Sequence, residues 1–117
     1  MQTQVKTTPA VSKHFNNLID ILYENDYFGF EEDAIRYVTD LFEDIKKNLP
    51  TKTRKSAPDY FMKFGKDLYY AKFKTNKHTM WYVFFTIHND NVSNIQTYFI
   101  RYVSNNHMIS QYLNHFY

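Results

Sequence analysis

The spacing of the apolar residues changes at Pro50, and this change restricts the chain to a fold with helices first and strands second. Before Pro50, apolar residues recur every three or four positions, which is the period of one face of an α-helix. After Pro50, apolar residues alternate with polar ones or form a short continuous run, as they do in strands. The sequence therefore predicts an α+β fold.

Two amphipathic helices are predicted before Pro50. Thr8 and Pro9 suit the start of the first helix, because Thr caps free N–H groups and Pro lacks an N–H that would stay unbonded there. This helix should end near residues 25–29, and its apolar stripe comprises Val11, Phe15, Leu18, Ile19 and Leu22. The second helix begins with carboxylates, which favour the positive end of the helix dipole, and ends at Lys46, Lys47 and Pro50. Its stripe comprises Ala34, Val38, Leu41, Ile45 and Leu49.

Three strands are predicted after Pro50, over residues 68–75, 79–88 and 94–103. The second run contains Trp-Tyr-Val-Phe-Phe at 81–85, so it should be the central strand, covered on both sides. The connectors are short and rich in Asn and Asp, as in hairpins between antiparallel neighbours. We therefore expect both helices to pack on a three- to four-stranded antiparallel sheet. A short helical turn or lid over 59–65 and a short C-terminal helix over 106–115 complete the predicted fold.

Size and composition favour a single domain over residues 1–117, because a second core would leave both cores too small. The polar segment 1–10 is expected to be flexible. The absence of cysteine excludes disulfides, thiolate zinc sites and a cysteine nucleophile. No apolar stretch reaches the ~18 residues of a membrane span, and the N-terminus lacks the apolar core of a secretory signal. We therefore expect a cytoplasmic protein with no membrane partner.

The common phosphate-binding and metal-binding motifs are missing from the sequence. Gly29 and Gly65 are the only glycines, so no Gly-rich phosphate loop can form. The five histidines are scattered, and none has the paired spacing of a metal-binding helix. We therefore expect no metal and no cofactor.

Charge divides the chain more sharply than its net value of +2 suggests. Residues 1–50 carry five Lys or Arg against nine Asp or Glu, a net charge of −4. Residues 51–117 carry nine Lys or Arg against three Asp or Glu, a net charge of +6. A basic sheet half is typical of a surface that faces an anionic partner. The alternative is that these lysines simply occupy solvated strand and loop positions.

One group of basic and aromatic residues has the composition of a reactive site. It comprises Lys72, Lys74, Lys77, His78, Trp81, Arg101 and His107. In an antiparallel meander, the end of the first strand, the start of the second and the end of the third lie at one edge of the sheet. These side chains are therefore expected to converge. The alternatives are a solvated strand face for Lys72 and Lys74, a core position for Trp81 and a surface role for His107.

Such a group suits the cleavage of RNA without a metal. A base removes the proton of a ribose 2′-OH, cations stabilise the charge that builds on the phosphate, and an acid protonates the leaving 5′ oxygen. Histidine is the side chain whose ordinary pKa lies nearest neutrality, which makes His107 the candidate for proton transfer.

The order of these elements, together with two sequence strings, resembles the RelE/ParE toxin superfamily of bacterial toxin–antitoxin modules. The strings are YYAKFKTNKHTMWYVFF, across the first two strands, and SNNHMISQYL, after the third. The closest likeness is to a branch with a Trp-Tyr-hydrophobic second strand and a closing Asn-Asn-His. The resemblance covers residues 12–115 and implies a concave sheet face that carries the active residues, with the helices packed behind it.

The resemblance also implies partners and residue roles. RelE-like members cut messenger RNA at the ribosome, ParE-like members inhibit DNA gyrase, and both bind a cognate antitoxin protein. Carried over by position, the implied catalytic residues are Lys74, Arg101 and His107. The resemblance also places Lys72 and Lys77 in the basic strand-one region of the family. The predicted RNA-binding residues are Lys72, Lys77 and His78, together with Lys52, Arg54 and Lys55 of the basic connector.

Two departures from the family pattern keep several functions open. RelE-like toxins commonly carry an arginine in the second strand. In this chain Trp81 lies near that position, and no Arg occurs between residues 65 and 100. Arg101 also precedes the usual place of the late arginine, where this chain has Ser-Asn-Asn. The chain is therefore predicted to be a ribosome-associated endoribonuclease, with two alternatives. One is a non-catalytic toxin-like module that binds gyrase or an antitoxin, and the other is a fold relative with a different binding role.

Overall fold

The computed structural model describes residues 2–24, 30–76 and 79–105, without the side chains of 21–24 and 76. The strands are β1 (Gln2–Thr7), β2 (Lys55–Ser56), β3 (Tyr69–Asn76), β4 (Thr79–Asp90) and β5 (Ile95–Asn105). The helices are α1 (Pro9–Glu24) and α2 (Glu31–Asn48), with a 3₁₀ turn at Leu49–Thr51 and a 3₁₀ helix at Asp59–Phe64. The strands form one sheet in the order β1-β5-β4-β3-β2. None of the helices in the described ranges has both the length and the hydropathy of a membrane-spanning segment.

The α+β class is confirmed, but the sheet has five strands and is mixed. The additional strand β1 lies in the segment that was expected to be flexible and pairs in parallel with β5, from Gln2 opposite Ile95 to Thr7 opposite Ile100. The side chain of Gln4 donates a hydrogen bond to Thr97 Oγ1 at 2.7 Å. The prediction of a flexible segment was wrong because main-chain hydrogen bonds hold this strand on the edge of β5. Its side chains are mostly polar, so the sequence shows no alternation of apolar and polar residues.

The predicted second strand is the central one. β4 pairs antiparallel with both β3 and β5, and its residues 81–86 are all buried. Trp81, Val83 and Phe85 belong to the core on the helix side of the sheet. Tyr82 and Phe84 belong to a second core on the opposite side, beneath the 3₁₀ helix. This helix, the predicted lid, anchors itself with Phe61, whose ring lies 4.4 Å from that of Phe84.

Both helices form as their apolar stripes predict. Thr8 caps α1, since its Oγ1 accepts a hydrogen bond from the Val11 N–H at 3.3 Å. The buried stripe residues are Val11, Phe15, Leu18, Ala34, Val38, Leu41, Ile45 and Leu49. The side chain of Leu22, the predicted end of the first helix over 25–29 and the predicted C-terminal helix lie outside the described residues.

Trp81 occupies the core, which was one of its two predicted roles. It also connects two layers of the fold. Its indole Nε1 donates a hydrogen bond to Tyr37 Oη at 2.9 Å. The same hydroxyl lies 2.7 Å from Thr75 Oγ1 on β3. Because Trp81 is only 1% exposed, this bond satisfies a donor that would be costly to bury alone. The network joins α2 to two neighbouring strands.

The packing of α2 on the sheet generates a stability prediction. Leu41 is 3% exposed within the helix-side core, so Leu41→Ala should leave a cavity and lower the free energy of unfolding by about 2–5 kcal/mol. Ile35, on the same helix, is 43% exposed, so Ile35→Ala should change it by less than about 0.5 kcal/mol. Urea denaturation measures both values, and equal effects would show that the packing face is misassigned.

His14 generates a second prediction, because burial lowers the pKa of its imidazole below the ordinary value of 6.5, against the opposing effect of a backbone hydrogen bond at Val103. Its ring stacks on Tyr102, and its Nε2 has no hydrogen-bond partner within the described residues. The unfolded chain then binds more protons than the folded one below about pH 6.5. Stability should therefore be full above that pH and decrease as the pH falls through the folded-state pKa.

Urea denaturation between pH 8 and pH 5 tests this expectation, and His14→Gln should flatten the acid side of the curve. An equally steep loss of stability in the variant would assign the pH dependence to other groups.

Candidate anion-binding cleft

A β-bulge on β5 determines where Arg101 points. Phe84 pairs with Tyr102 and Phe85 pairs with Ile100, so Arg101 is an extra residue with no partner on β4. Ile100 lies in the helix-side core, whereas Tyr102 packs against the opposite core. Arg101 joins Tyr102 on that opposite face, where it bonds to Thr86. The bulge therefore brings two consecutive side chains to the face of the sheet that lies away from α1 and α2.

Arg101 is held by contacts with two neighbouring strand positions. Its Nε donates a hydrogen bond to Thr86 Oγ1 at 3.1 Å, and its guanidinium carbon lies 5.3 Å from the centroid of the Phe99 ring. Thr86 Oγ1 also lies 3.2 Å from His88 Nε2. The His88 ring stands perpendicular to Phe99, with 5.0 Å between centroids. Thr86 thus links the guanidinium to the imidazole.

Arg101, Thr86 and His88 line an open cleft of about 560 Å³, which we call the Arg101 cleft. Its other lining residues are Arg54, Gly65, Lys66, Asp67, Tyr69, Ile87, Asn89 and Gln96. The guanidinium carbon of Arg54 lies 5.2 Å from the centroid of the Tyr69 ring, and both residues line the cleft. Three cations against one carboxylate produce a positive potential in a concave site, and such a site attracts anions.

The geometry of Arg101 suits a phosphate. Because Nε carries the bond to Thr86, the two terminal nitrogens can serve a ligand. Guanidinium groups bind phosphate oxygens through pairs of parallel hydrogen bonds, which a lysine cannot form. Arg54 and Lys66 add charge from the connector and from the turn before β3. The cleft can therefore hold a phosphate group with an imidazole in the same concavity.

The other predicted catalytic residue in the described chain, Lys74, lies on the same face but far from the cleft. Lys74 pairs with Met80, whereas Arg101 lies opposite the step between Phe84 and Phe85. Four to five residues along a strand correspond to about 15 Å, and β4 separates the two strands that carry these residues. The 3₁₀ helix covers the face between them through Phe61. Arg101 and Lys74 therefore do not converge, because β5 continues to Asn105 and places Arg101 well before its end.

The basic connector separates into two parts. Arg54 joins Arg101 in the cleft, whereas Lys52, Lys55 and Lys72 line a groove of about 260 Å³ along the outer edge of β3. Lys52 Nζ lies 4.7 Å from the centroid of the Phe73 ring. The predicted site residues Lys77, His78 and His107 lie outside the described residues.

Thr86, His88 and Lys66 are cleft residues that sequence reasoning missed. The sequence does contain a pattern that indicates Thr86 and His88. They are polar residues two positions apart at the end of an apolar strand, and residues with that spacing lie on the same face of a sheet. No signal existed for their meeting with Arg101, since the bulge depends on how β4 and β5 pair. Within residues 2–24, 30–76 and 79–105, no three His, Asp or Glu side chains form a group that could hold a metal.

Compared with protein-family models, with curated proteins and with solved structures, the chain gives no significant match.

Proposed function

We propose that this chain is the toxin of a bacterial type II toxin–antitoxin module, and that it binds and cleaves messenger RNA at the ribosome without a metal. The observation that carries the proposal is the Arg101 cleft, where a guanidinium, two further cations and an imidazole line one concavity. RNA supplies the phosphates that such a cleft would bind. The site of action would be the cytoplasm, and the second partner would be the cognate antitoxin.

The arrangement of layers supports the proposal. Two helices cover one face of the sheet, and the cleft residues Arg101, Thr86 and His88 lie on the opposite face, as the resemblance to the RelE/ParE superfamily implies. The acidic half of the chain contributes α1 and α2, whereas the cleft cations come from the basic half. An RNA strand approaching the open face would therefore meet cations, with most of the acidic residues in the layer behind the sheet.

The proposed reaction needs no oxidant, reductant or metal. The ribose 2′-OH passes its proton to solvent water as its oxygen attacks the phosphorus, and the bond from phosphorus to the 5′ oxygen breaks. The products are a 2′,3′-cyclic phosphate and a 5′-hydroxyl. Charge builds on the non-bridging oxygens in the transition state, where Arg101 would donate its paired hydrogen bonds. One such donor typically contributes a factor of ~10²–10³ in rate.

The distance between Lys74 and Arg101 favours a second candidate function. About 15 Å of strand separates the two residues, so they cannot act on one phosphate as a compact catalytic pair. A module that binds gyrase or an antitoxin needs no such pair. Cleavage of messenger RNA on purified ribosomes separates the two functions, since only the endoribonuclease produces new RNA ends.

Growth is the first test of the toxin assignment. Induction of the chain alone in bacteria should arrest growth, and co-expression of the protein encoded beside it should relieve the arrest by occupying the toxin. Culture density and colony counts measure both effects. Normal growth with abundant folded protein would contradict the toxin assignment.

Arg101 gives the residue-level test. Arg101→Ala should lower ribosome-dependent cleavage by ~10²–10³, with the melting temperature nearly unchanged. Arg101→Lys should restore only part of the activity, because an ammonium lacks the planar fork of the guanidinium. Lys47→Ala is the matched control, since it removes one exposed cation from α2 on the other side of the sheet. Full activity in Arg101→Ala would exclude the cleft as the cleavage site.

A further inference from the structure

We infer that His88 is the general acid of the proposed cleavage, and that Thr86 positions its ring. The inference rests on the proposed function and assigns a proton donor to the same cleft. Among the described residues, His88 is the histidine that lines the Arg101 cleft, whereas His14 packs against Tyr102. The side chain of His88 is exposed, so its ring can reach a bound substrate.

The hydrogen bonds around Thr86 explain how the ring is held. Arg101 Nε can only donate, so Thr86 Oγ1 accepts this bond. The hydroxyl proton of Thr86 is then free to bond His88 Nε2, and a protonated ring can instead donate to the remaining lone pair of Oγ1. In either protonation state, Thr86 engages Nε2. The other ring nitrogen, Nδ1, then carries the proton that a substrate oxygen can receive.

Phe99 also restrains the orientation of the His88 ring. Its edge-to-face contact with His88 and its contact with the Arg101 guanidinium hold both groups against one aromatic side chain. The charged groups that line the cleft around His88 are Arg54 from the connector, Lys66 and Asp67 from the turn before β3, and Arg101 from β5. The imidazole therefore lies beside the cations that would hold the scissile phosphate.

The proton transfer balances within this arrangement. As the bond from phosphorus to the 5′ oxygen breaks, that oxygen gains the electron pair and takes the proton from Nδ1 of the imidazolium. The ring becomes neutral and recovers its proton from water before the next cycle. Arg101 stabilises the charge on the phosphate during the same step, so the two residues have separate roles.

The test measures single-turnover cleavage of messenger RNA on ribosomes by the purified chain, as a function of pH. A general acid must be protonated, so the wild-type rate should fall along one limb of the pH profile as the pH rises. His88→Gln should lower the rate by ~10²–10⁴ and abolish this limb, with RNA affinity and melting temperature near their wild-type values. Added imidazole should restore part of the activity of His88→Ala.

Two variants of Thr86 test its positioning role. Thr86→Val keeps the shape of the side chain but removes the hydroxyl, so it should lower the cleavage rate and alter the pH limb. Thr86→Ser keeps the hydroxyl and should retain both. Equal activity and equal pH profiles in the two variants would exclude positioning by the hydroxyl.

The outcomes distinguish failure of the His88 assignment from failure of the endoribonuclease assignment. If the wild-type chain cleaves and His88→Gln cleaves at the same rate with the same pH profile, His88 is not the acid, and the endoribonuclease assignment remains. If the limb persists in His88→Gln and disappears in His107→Ala, His107 is the acid and the inference is wrong. If the wild-type chain produces no cleavage on ribosomes, the proposed endoribonuclease function fails, and the role of His88 fails with it.

Discussion

The burial of β4 on both faces is the constraint on which the rest of the structure depends. A strand with Trp81, Val83 and Phe85 on one side and Tyr82 and Phe84 on the other needs a layer on each side to exclude water. The α1–α2 pair covers one side. The six-residue 3₁₀ helix covers only the centre of the other side. The Arg101 cleft opens beside this 3₁₀ helix, since Gly65 and Lys66 follow the helix directly and line the cleft.

The bulge on β5 has a physical consequence beyond the loss of one pairing position. In a regular strand, two consecutive residues point to opposite faces, so Arg101 or Tyr102 would enter the helix-side core. A cation in that core would need a partner, because burying an unpaired charge is costly. The bulge turns Arg101 to the open face, where Thr86 and Phe99 hold it half-buried.

The distribution of cations around the sheet decides what size of anion could contact them. One group surrounds Arg101, and another, with Lys52, Lys55 and Lys72, lines the outer edge of β3. The 3₁₀ helix covers the face between them. A small anion can contact only one group, whereas an extended polyanion can contact both. The separation of Lys74 from Arg101 therefore excludes one compact catalytic set, but it still allows an extended polyanion to contact both groups.

The sequence by itself determined the two helices, the three main strands and the central position of β4, because periodicity and burial follow directly from residue type. It did not predict β1, because this strand is held by main-chain hydrogen bonds to β5 and its polar side chains show no strand pattern. It also identified Arg101 as a candidate but placed it at the end of the third strand beside Lys74, whereas Arg101 lies opposite the middle of β4. Only the tertiary structure decided that Arg101 meets Thr86 and His88, because a one-residue bulge depends on how two strands pair, and no local pattern records that pairing.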